Sequence, residues 1–184
     1  MSAGDFLRLS IKSGDIAYIL LWFNAVLGII LSARVLTRIR QQRWIRTVNL
    51  IHTYLASAAF IFVIIHLVTL YADYKMADRI TLLGFFLPEA SPYRTTLIDV
   101  GIIPTYLFLI ILVTSWARKR VGFKLWRTIH YFNYLALMLA IWHSMLGQGE
   151  ASVVPNGFYI WSGAILLGLS FYRIVTRSVK KQIQ

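Results

Sequence analysis

The sequence predicts an all-α membrane protein in which residues 1–184 form a single transmembrane domain, a bundle of five spanning helices. Apolar residues make up 58% of the chain and charged residues only 14%, whereas a soluble domain carries about a quarter charged residues. The charges are also clustered, and long apolar stretches separate the clusters. Composition and patterning together place the chain in the membrane class.

Five segments approach the roughly 20 apolar helical residues that a hydrocarbon core of about 30 Å requires. In chain order they are residues 16–33, 47–71, 97–116, 126–146 and 158–175. The fifth is short and needs Arg173 to extend its side chain toward the interface. The apolar run 82–87, between the second and third spans, is too short to cross and is predicted to lie at the interface, ending at Pro88.

Basic residues are distributed unequally between the two ends of the predicted spans. Fourteen of the 19 lysines and arginines fall in the first connection, the third connection and the tail, with no acidic residue among them. The other end holds the remaining basic residues and all seven acidic ones. The positive-inside rule therefore predicts an N-terminus outside and a C-terminus in the cytoplasm. Because topology explains the net charge of +12, we predict contact with a lipid membrane and no nucleic-acid partner.

Cysteine is absent from the sequence. This excludes a disulfide framework, a thiolate-bound iron–sulfur cluster and the covalent attachment of a c-type haem. Any haem in this chain would therefore be held non-covalently.

The four histidines all lie inside predicted spans, His52 and His66 on the second and His130 and His143 on the fourth. Ionisable side chains are costly within a membrane and mark functional sites. The gaps of 14 and 13 residues correspond to about 21 and 20 Å of helix. Since these two spans run in the same direction, His52 pairs with His130 near the cytoplasmic face and His66 with His143 near the outer face. The pattern predicts two haems b, each ligated by two imidazoles, between the second and fourth spans.

The helical register leaves one difficulty. At 100° per residue, 14 residues fall about 40° short of four turns, whereas 13 residues fall about 140° short. An ideal fourth helix would therefore point its two histidines in different directions. Either a bend or π-bulge lies between His130 and His143, or the two haems sit at different azimuths.

Other roles for these residues compete with haem binding. A lone histidine within a span often forms a helix–helix hydrogen bond, although two depth-matched pairs are harder to explain in that way. A proton relay would normally use carboxylates within the membrane, and every acidic residue lies outside the predicted spans or at their outer ends. Arg46 and Arg127 lie within two turns of the inner histidines and are predicted to bind haem propionates, with topology or lipid contact as the alternative.

The histidine spacing resembles the ferric reductase-like transmembrane domain of ferric reductases and NADPH oxidases. The resemblance rests on the unequal gaps of 14 and 13 residues and on the segment 125–131, where Trp126 shortly precedes His130. It covers roughly residues 16–172 and implies that the four histidines are the haem ligands. Family members commonly have six spans, and the first of these is the one missing here.

The resemblance also implies what this chain needs from other proteins. No G-x-G-x-x-G motif follows a strand, so the flavin and nicotinamide domain of many relatives is not expected here. The chain also resembles stand-alone bacterial haem subunits of the inner membrane, which act beside a separate flavoprotein or other reductase subunit. We therefore expect an oxidoreductase subunit that cannot oxidise NAD(P)H by itself.

The sequence leaves three functions open. The first is a di-haem cytochrome b that carries electrons between a cytoplasmic or membrane-borne donor and an acceptor on the outer side. The second is a cytochrome b subunit of a quinol-oxidising or quinone-reducing complex. Such subunits resemble this chain in their histidine pairs but tend to have paired glycines near the haems, where this chain offers only Gly28 and Gly101. The third is a terminal reductase of iron chelate or oxygen at the outer haem.

Overall fold

A computed structural model of the chain describes residues 3–32, 42–88 and 95–182. The arginines at positions 34, 38 and 40, which contribute to the predicted inner charge, lie outside the described residues. The described residues form eight helices: α1 (Ala3–Ser32), α2 (Gln42–Met76), α3 (Leu82–Phe86), α4 (Thr95–Trp116), α5 (Arg118–Val121), α6 (Phe123–Tyr131), α7 (Asn133–Leu146) and α8 (Asn156–Gln182). The predicted all-α class is confirmed.

Three of these helices are long and apolar enough to cross a membrane within the described ranges, spanning Gly4–Ser32, Gln42–Met76 and Thr96–Trp116. They correspond to the first three predicted spans. The predicted fourth span is divided between α6 and α7, and the predicted fifth span lies within α8. Large apolar side chains on the outside of the bundle, such as Trp161, Phe171 and Leu167, are 71%, 70% and 68% exposed. A surface of this kind suits lipid rather than water.

Hydroxyl side chains within the long helices bond to carbonyls of their own helix. Thr69 Oγ1 donates to the Ile65 carbonyl at 2.7 Å, and Thr105 Oγ1 donates to the Gly101 carbonyl at 2.8 Å. Such bonds satisfy the hydroxyl without a partner helix. They allow polar residues to lie in segments that enter hydrocarbon.

The helices assemble as two packed pairs. One pair is α1 with α2, and the other is α4 with α7, while α8 packs against α1 and α7. A small buried cluster of Tyr18, Val154 and Tyr159 joins α1 to the start of α8. The space between the two pairs is where α2 faces α6 and α7.

The predicted fourth span is interrupted at Phe132, between its two histidines. There the backbone N–H of Phe132 bonds to the Ile129 carbonyl at 3.0 Å, a tightened i to i−3 turn. The interruption is therefore not a π-bulge, which would widen the turn. A tightened turn rotates the chain by about 120° per residue rather than 100°, which reduces the angular deficit of the 13-residue gap between the two histidines.

Residues 82–86 of the predicted interfacial run form the short helix α3, and Leu87 follows it as the C-cap. Thr81 caps its N-terminus, since the Thr81 Oγ1 accepts a hydrogen bond from the Gly84 N–H at 3.1 Å. Phe85 is buried in a cluster with Tyr74, Ile80, Ile98 and Ile102, whereas Leu82 and Leu83 are exposed. One face packed on protein and one apolar face exposed is the arrangement expected of an interfacial segment.

Candidate functional site

The four histidines face one another in two pairs across the space between α2 and the α6–α7 unit. The ring centres of His52 and His130 are 6.3 Å apart. Those of His66 and His143 are 6.1 Å apart. The structure thus brings together the same two pairs that the sequence spacing predicts.

Both separations suit a metal placed between two imidazoles. A metal–imidazole bond of about 2.0 Å, with about 1.1 Å from the bonding nitrogen to the ring centre, separates two such rings by about 6.2 Å. In the described part of the chain, no group of three or more His, Cys, Asp or Glu side chains converges as a metal site made of protein ligands alone would require. Two-histidine pairs therefore suit a metal that brings its own equatorial ligands, as haem iron does.

Three of the histidines are oriented by backbone carbonyls of neighbouring helices. Nδ1 of His52 donates to Asn24 O at 3.0 Å, Nδ1 of His66 to Ser10 O at 2.9 Å and Nδ1 of His143 to Leu97 O at 3.0 Å. A carbonyl only accepts, so Nδ1 must carry the proton in each ring. The neutral ring then has its lone pair on Nε2, which is the tautomer and orientation that a metal ligand needs.

His130 is held differently. Its Nδ1 is buried and has no hydrogen-bond partner among the residues that the structure describes. The indole of Trp126, one helical turn earlier, lies against the imidazole, with ring centres 5.2 Å apart and planes inclined by 33°. The ring is therefore fixed by stacking on its own helix.

Glycines lie beneath the three carbonyl-bound rings. A Cβ atom built on Gly14 would lie 2.9 Å from His66 Nδ1, one on Gly28 would lie 3.1 Å from His52 Cε1, and one on Gly101 would lie 2.6 Å from His143 Cε1. Gly28 and Gly101 were noted from the sequence, but Gly14 was missed because the first span was predicted to begin at residue 16. The structure begins α1 at Ala3, which brings Gly14 inside the helix.

Two cavities lie between the helix pairs, one at each histidine layer. The cavity at His52 and His130 has a volume of about 390 Å³. The cavity at His66 and His143 has a volume of about 120 Å³. Only the former falls in the range of about 300–1,000 Å³ typical of cofactor sites. The residues that line both cavities, and so separate them, are Leu21, Val63, Pro104 and Ala140, one from each of four helices.

The two predicted propionate partners differ in position. Arg127 lines the larger cavity, and its Nε donates to the Tyr131 hydroxyl at 3.1 Å. Arg46 is exposed on α2 and is not among the residues that line either cavity. Arg173, which the sequence suggested only as an interfacial residue, also lines the larger cavity and donates to the Tyr134 hydroxyl at 2.8 Å.

Asp15 precedes the predicted first span by one residue and lies inside α1 in the structure. It is buried within α1, 6% exposed, beside Gly14. Its carboxylate accepts hydrogen bonds from Ser152 Oγ at 2.8 Å, the Val153 N–H at 2.7 Å and the Tyr159 hydroxyl at 2.8 Å. With its oxygens occupied in this way, Asp15 ties α1 to the connection before α8 and to α8 itself, which is the role of a structural clamp.

Comparisons with known proteins agree with the geometry. The family described as "Ferric reductase like transmembrane component" matches residues 13–141. A curated protein from Agrobacterium fabrum (strain C58), the heme-binding subunit MsrQ of protein-methionine-sulfoxide reductase, is 30% identical over 125 residues. That match covers 66% of this chain and 52% of the relative, so the chain spans about half the length of this curated protein. No solved structure matches the chain.

The matched region contains His52, His66 and His130 and ends two residues before His143. It therefore includes α1 from residue 13 onward, all of α2 and most of the space between the helix pairs. By its sequence over these residues, and in agreement with its long apolar helices, the chain is an integral membrane protein that belongs to the ferric reductase-like transmembrane family.

Proposed function

We propose that this chain is a membrane di-haem cytochrome b that passes electrons across the bilayer between a cytoplasmic or membrane-borne donor and an acceptor on the outer side. The observation that carries the proposal is the geometry of the two histidine pairs. Both ring separations, 6.3 and 6.1 Å, match the spacing of two imidazoles on one iron. The Agrobacterium relative is named as a heme-binding subunit, which supports the same cofactor.

When bound, each non-covalent haem b would supply a one-electron iron couple. The chain's own residues would bind each haem and exclude water from the path between them. His52 and His130 would hold the inner group, and His66 and His143 the outer one. Arg127 and Arg173 are placed to meet acidic substituents at the larger cavity. The apolar residues between the cavities keep water out of the path from one layer to the other.

We propose that all five predicted segments cross the membrane, with α6 and α7 together forming the fourth span and α8 the fifth. Residues 123–146 would extend about 36 Å as one helix, enough to cross a hydrocarbon core of about 30 Å despite the turn at Phe132. The charge distribution supports an N-terminus outside and a C-terminus in the cytoplasm of a bacterial inner membrane.

The electron acceptor is proposed to be a separate redox protein rather than oxygen bound at iron. If each iron were held by two imidazoles, oxygen would find no open position on it. The relative is named as a subunit of a larger reductase, which supports a catalytic partner outside this chain. A separate partner is also proposed on the cytoplasmic side, as the electron donor. The exposed basic residues Arg118, Lys119 and Arg120 suit an acidic donor there, such as a flavoprotein.

One observation favours a second function, a cytochrome b subunit of a quinol-oxidising complex. Gly14 and Gly28 lie 14 residues apart on α1, one at each histidine layer, as the paired glycines of such subunits do. The family match favours the first function, since it places the chain with the ferric reductase-like proteins.

Reconstitution into liposomes tests the proposed transfer. With ferricyanide trapped inside and dithionite added outside, the wild-type protein is expected to consume the trapped oxidant. The His52→Ala and His66→Ala variants should fall to the leak rate of empty liposomes, because losing either layer leaves about 20 Å of the membrane uncrossed. Wild-type liposomes that leak no faster than empty ones would overturn the proposed function.

Single cysteines test the proposed topology, since the chain has none of its own. Ala77→Cys and Lys119→Cys both introduce a thiol at an exposed position. An impermeant maleimide added to intact cells should label the first and leave the second unlabelled until the cells are opened. The opposite pattern would reverse the inner and outer layers, and labelling of both would contradict an odd number of spans between them.

A further inference from the structure

A repeated unit of backbone and glycine anchors three of the four histidines. Each ring donates to a helical carbonyl, and a glycine follows that carbonyl by four residues: Ser10 with Gly14, Asn24 with Gly28, and Leu97 with Gly101. A helical carbonyl points toward residue i+4. A ring that reaches this carbonyl from the side therefore lies over residue i+4, and a Cβ there would strike it, as the distances of 2.6–3.1 Å show.

The spacing of the unit predicts where a fourth copy should be. The two units on α1 are 14 residues apart, so they lie on nearly the same face at two depths. The same step along α4, from Leu97 and Gly101, leads to Ile111 and Ser115. This is the depth of His130, the one histidine whose Nδ1 has no partner among the described residues.

Ser115 replaces the glycine at this fourth position and changes what the carbonyl does. The Ser115 Oγ donates to Ile111 O at 2.6 Å, and the Thr114 Oγ1 also donates to it at 3.1 Å. Ser10 O, one of the three anchors, also accepts a hydroxyl, from Ser13 at 2.9 Å, and still accepts its histidine. The Ile111 carbonyl differs in accepting two hydroxyls. The serine side chain also occupies the space that the three glycines leave to an imidazole.

Trp126 connects this serine to His130. Its Nε1 donates to Ser115 Oγ at 3.2 Å, and its ring stacks against His130 at 5.2 Å. The guanidinium of Arg118 lies over this indole, with its Cζ atom 5.5 Å from the ring centre. The indole is therefore fixed by contacts from both α4 and α5.

We propose that Ser115 and Trp126 are positioning residues for His130, and that they leave its Nδ1–H without a carbonyl acceptor in order to set the reduction potential of the inner haem. This inference rests on the proposed haem role of the histidines. Donation from Nδ1 to a carbonyl makes an imidazole a more basic ligand, which favours oxidised iron. Without that bond, His130 favours reduced iron, so the inner haem has a higher potential than it would with the common anchor.

Substituting Ser115 tests this directly. Ser115→Gly recreates the unit found at the other three histidines, since it removes Cβ and the nearer of the two hydroxyls that donate to the Ile111 carbonyl. The oxidised-to-reduced ratio of the inner haem at a fixed potential should rise, on the order of tenfold. That factor is a shift of about 59 mV to lower potential for one electron. Ser115→Ala retains Cβ, so its inner haem should stay near the wild-type potential.

A second pair of variants keeps the test decisive if Ser115→Gly does not fold. Trp126→Leu removes the stacked ring and should alter the low-spin EPR signal of the inner haem alone. The matched control is Trp22→Leu, whose Nε1 donates to the Ser162 carbonyl at 3.1 Å, on α8. It should leave both signals unchanged.

The outcomes separate this inference from the proposed function. Redox titration followed optically, with haem counted in every sample, provides both readouts. Full haem content with equal inner potentials in Ser115→Gly and Ser115→Ala would overturn the positioning role and leave the haem role standing. An unchanged inner EPR signal in Trp126→Leu would also overturn it. Absence of haem from the wild-type protein would instead overturn the proposed function, and this inference with it.

Discussion

The two histidine layers have the same ligand set in different surroundings. The layers are called outer (His66 and His143) and inner (His52 and His130) after the proposed topology. In the outer layer, both histidines donate to carbonyls and both lie over glycines, with the hydrogen-bonded carboxylate of Asp15 nearby. In the inner layer only His52 is anchored in this way, while His130 stacks on Trp126. The inner cavity is also larger, about 390 against 120 Å³, and two arginines line it.

This difference indicates that the spacing of the histidines and the contacts around each of them are determined by different residues. The 14-residue step along α1 repeats the same anchor at both depths, which fixes two of the ligands alike. On α4 the step ends at Ser115 instead of glycine, so the layers diverge only on the side of α6 and α7. If both pairs bind haem as proposed, environment rather than ligand identity should distinguish the two haems.

Removing a histidine should have the largest effect. Which haem is lost should depend on the layer to which that histidine belongs. His66→Ala and His143→Ala should each lose the outer haem, and His52→Ala and His130→Ala the inner one. Each change leaves a single imidazole for an iron that needs two, so the haem is lost or becomes high-spin. Optical and EPR spectra of the four purified variants provide the measurement.

The same experiment tests which histidines form each pair. Variants within a layer should match each other spectrally and differ from the variants of the other layer. Because the layers are about 20 Å apart along the helices, loss of one haem should leave the spectrum of the other largely intact. If His52→Ala matched His66→Ala, the pairing by depth would be wrong.

Adding a methyl group beneath a ring should have a smaller, graded effect. Gly101→Ala places Cβ 2.6 Å from His143 Cε1, so the ring must move and outer haem affinity should fall by about tenfold to a hundredfold. Gly28→Ala places Cβ 3.1 Å from His52 Cε1, which a small shift of the ring relieves, so inner haem affinity should fall less. Haem retention during titration with apomyoglobin, a competing haem acceptor, measures both.

Gly157→Ala is the matched control, since no atom lies within 4 Å of a Cβ at that position on α8. It should retain both haems with wild-type affinity. If Gly101→Ala bound the outer haem as tightly as this control does, the His143 ring would not occupy the position seen over Gly101. Equal losses of haem affinity in Gly101→Ala and Gly28→Ala would contradict the proposed dependence of affinity on the distance between the added Cβ and the imidazole.

Much of the site could be predicted because it depends on periodicity. Gaps of 14 and 13 residues fix the depth of each histidine, and depth decides which ring meets which. The same arithmetic exposed a deficit of about 140° on the fourth span, which left either an interruption between the histidines or haems at different azimuths. The structure has an interruption at Phe132.

The missed residues have no comparable signal in the sequence. The acceptors on Ser10, Asn24 and Leu97 are backbone groups, so residue identity does not reveal them. Asp15 lowers the local hydropathy and made the first span seem to begin at residue 16, which hid Gly14. The exposure of Arg46 and the placement of Arg173 at the larger cavity depend on how the helices pack, which local spacing does not determine.

Counting haem against protein tests the central claim most directly. A pyridine haemochrome assay on the purified wild-type chain, with protein measured by amino-acid analysis, gives the ratio without any assumption about partners or direction of electron flow. The account predicts two haems b per chain, both extracted by acidified acetone because no cysteine tethers them. A ratio of one would mean that only one histidine pair binds haem, and a ratio of zero would contradict the account altogether.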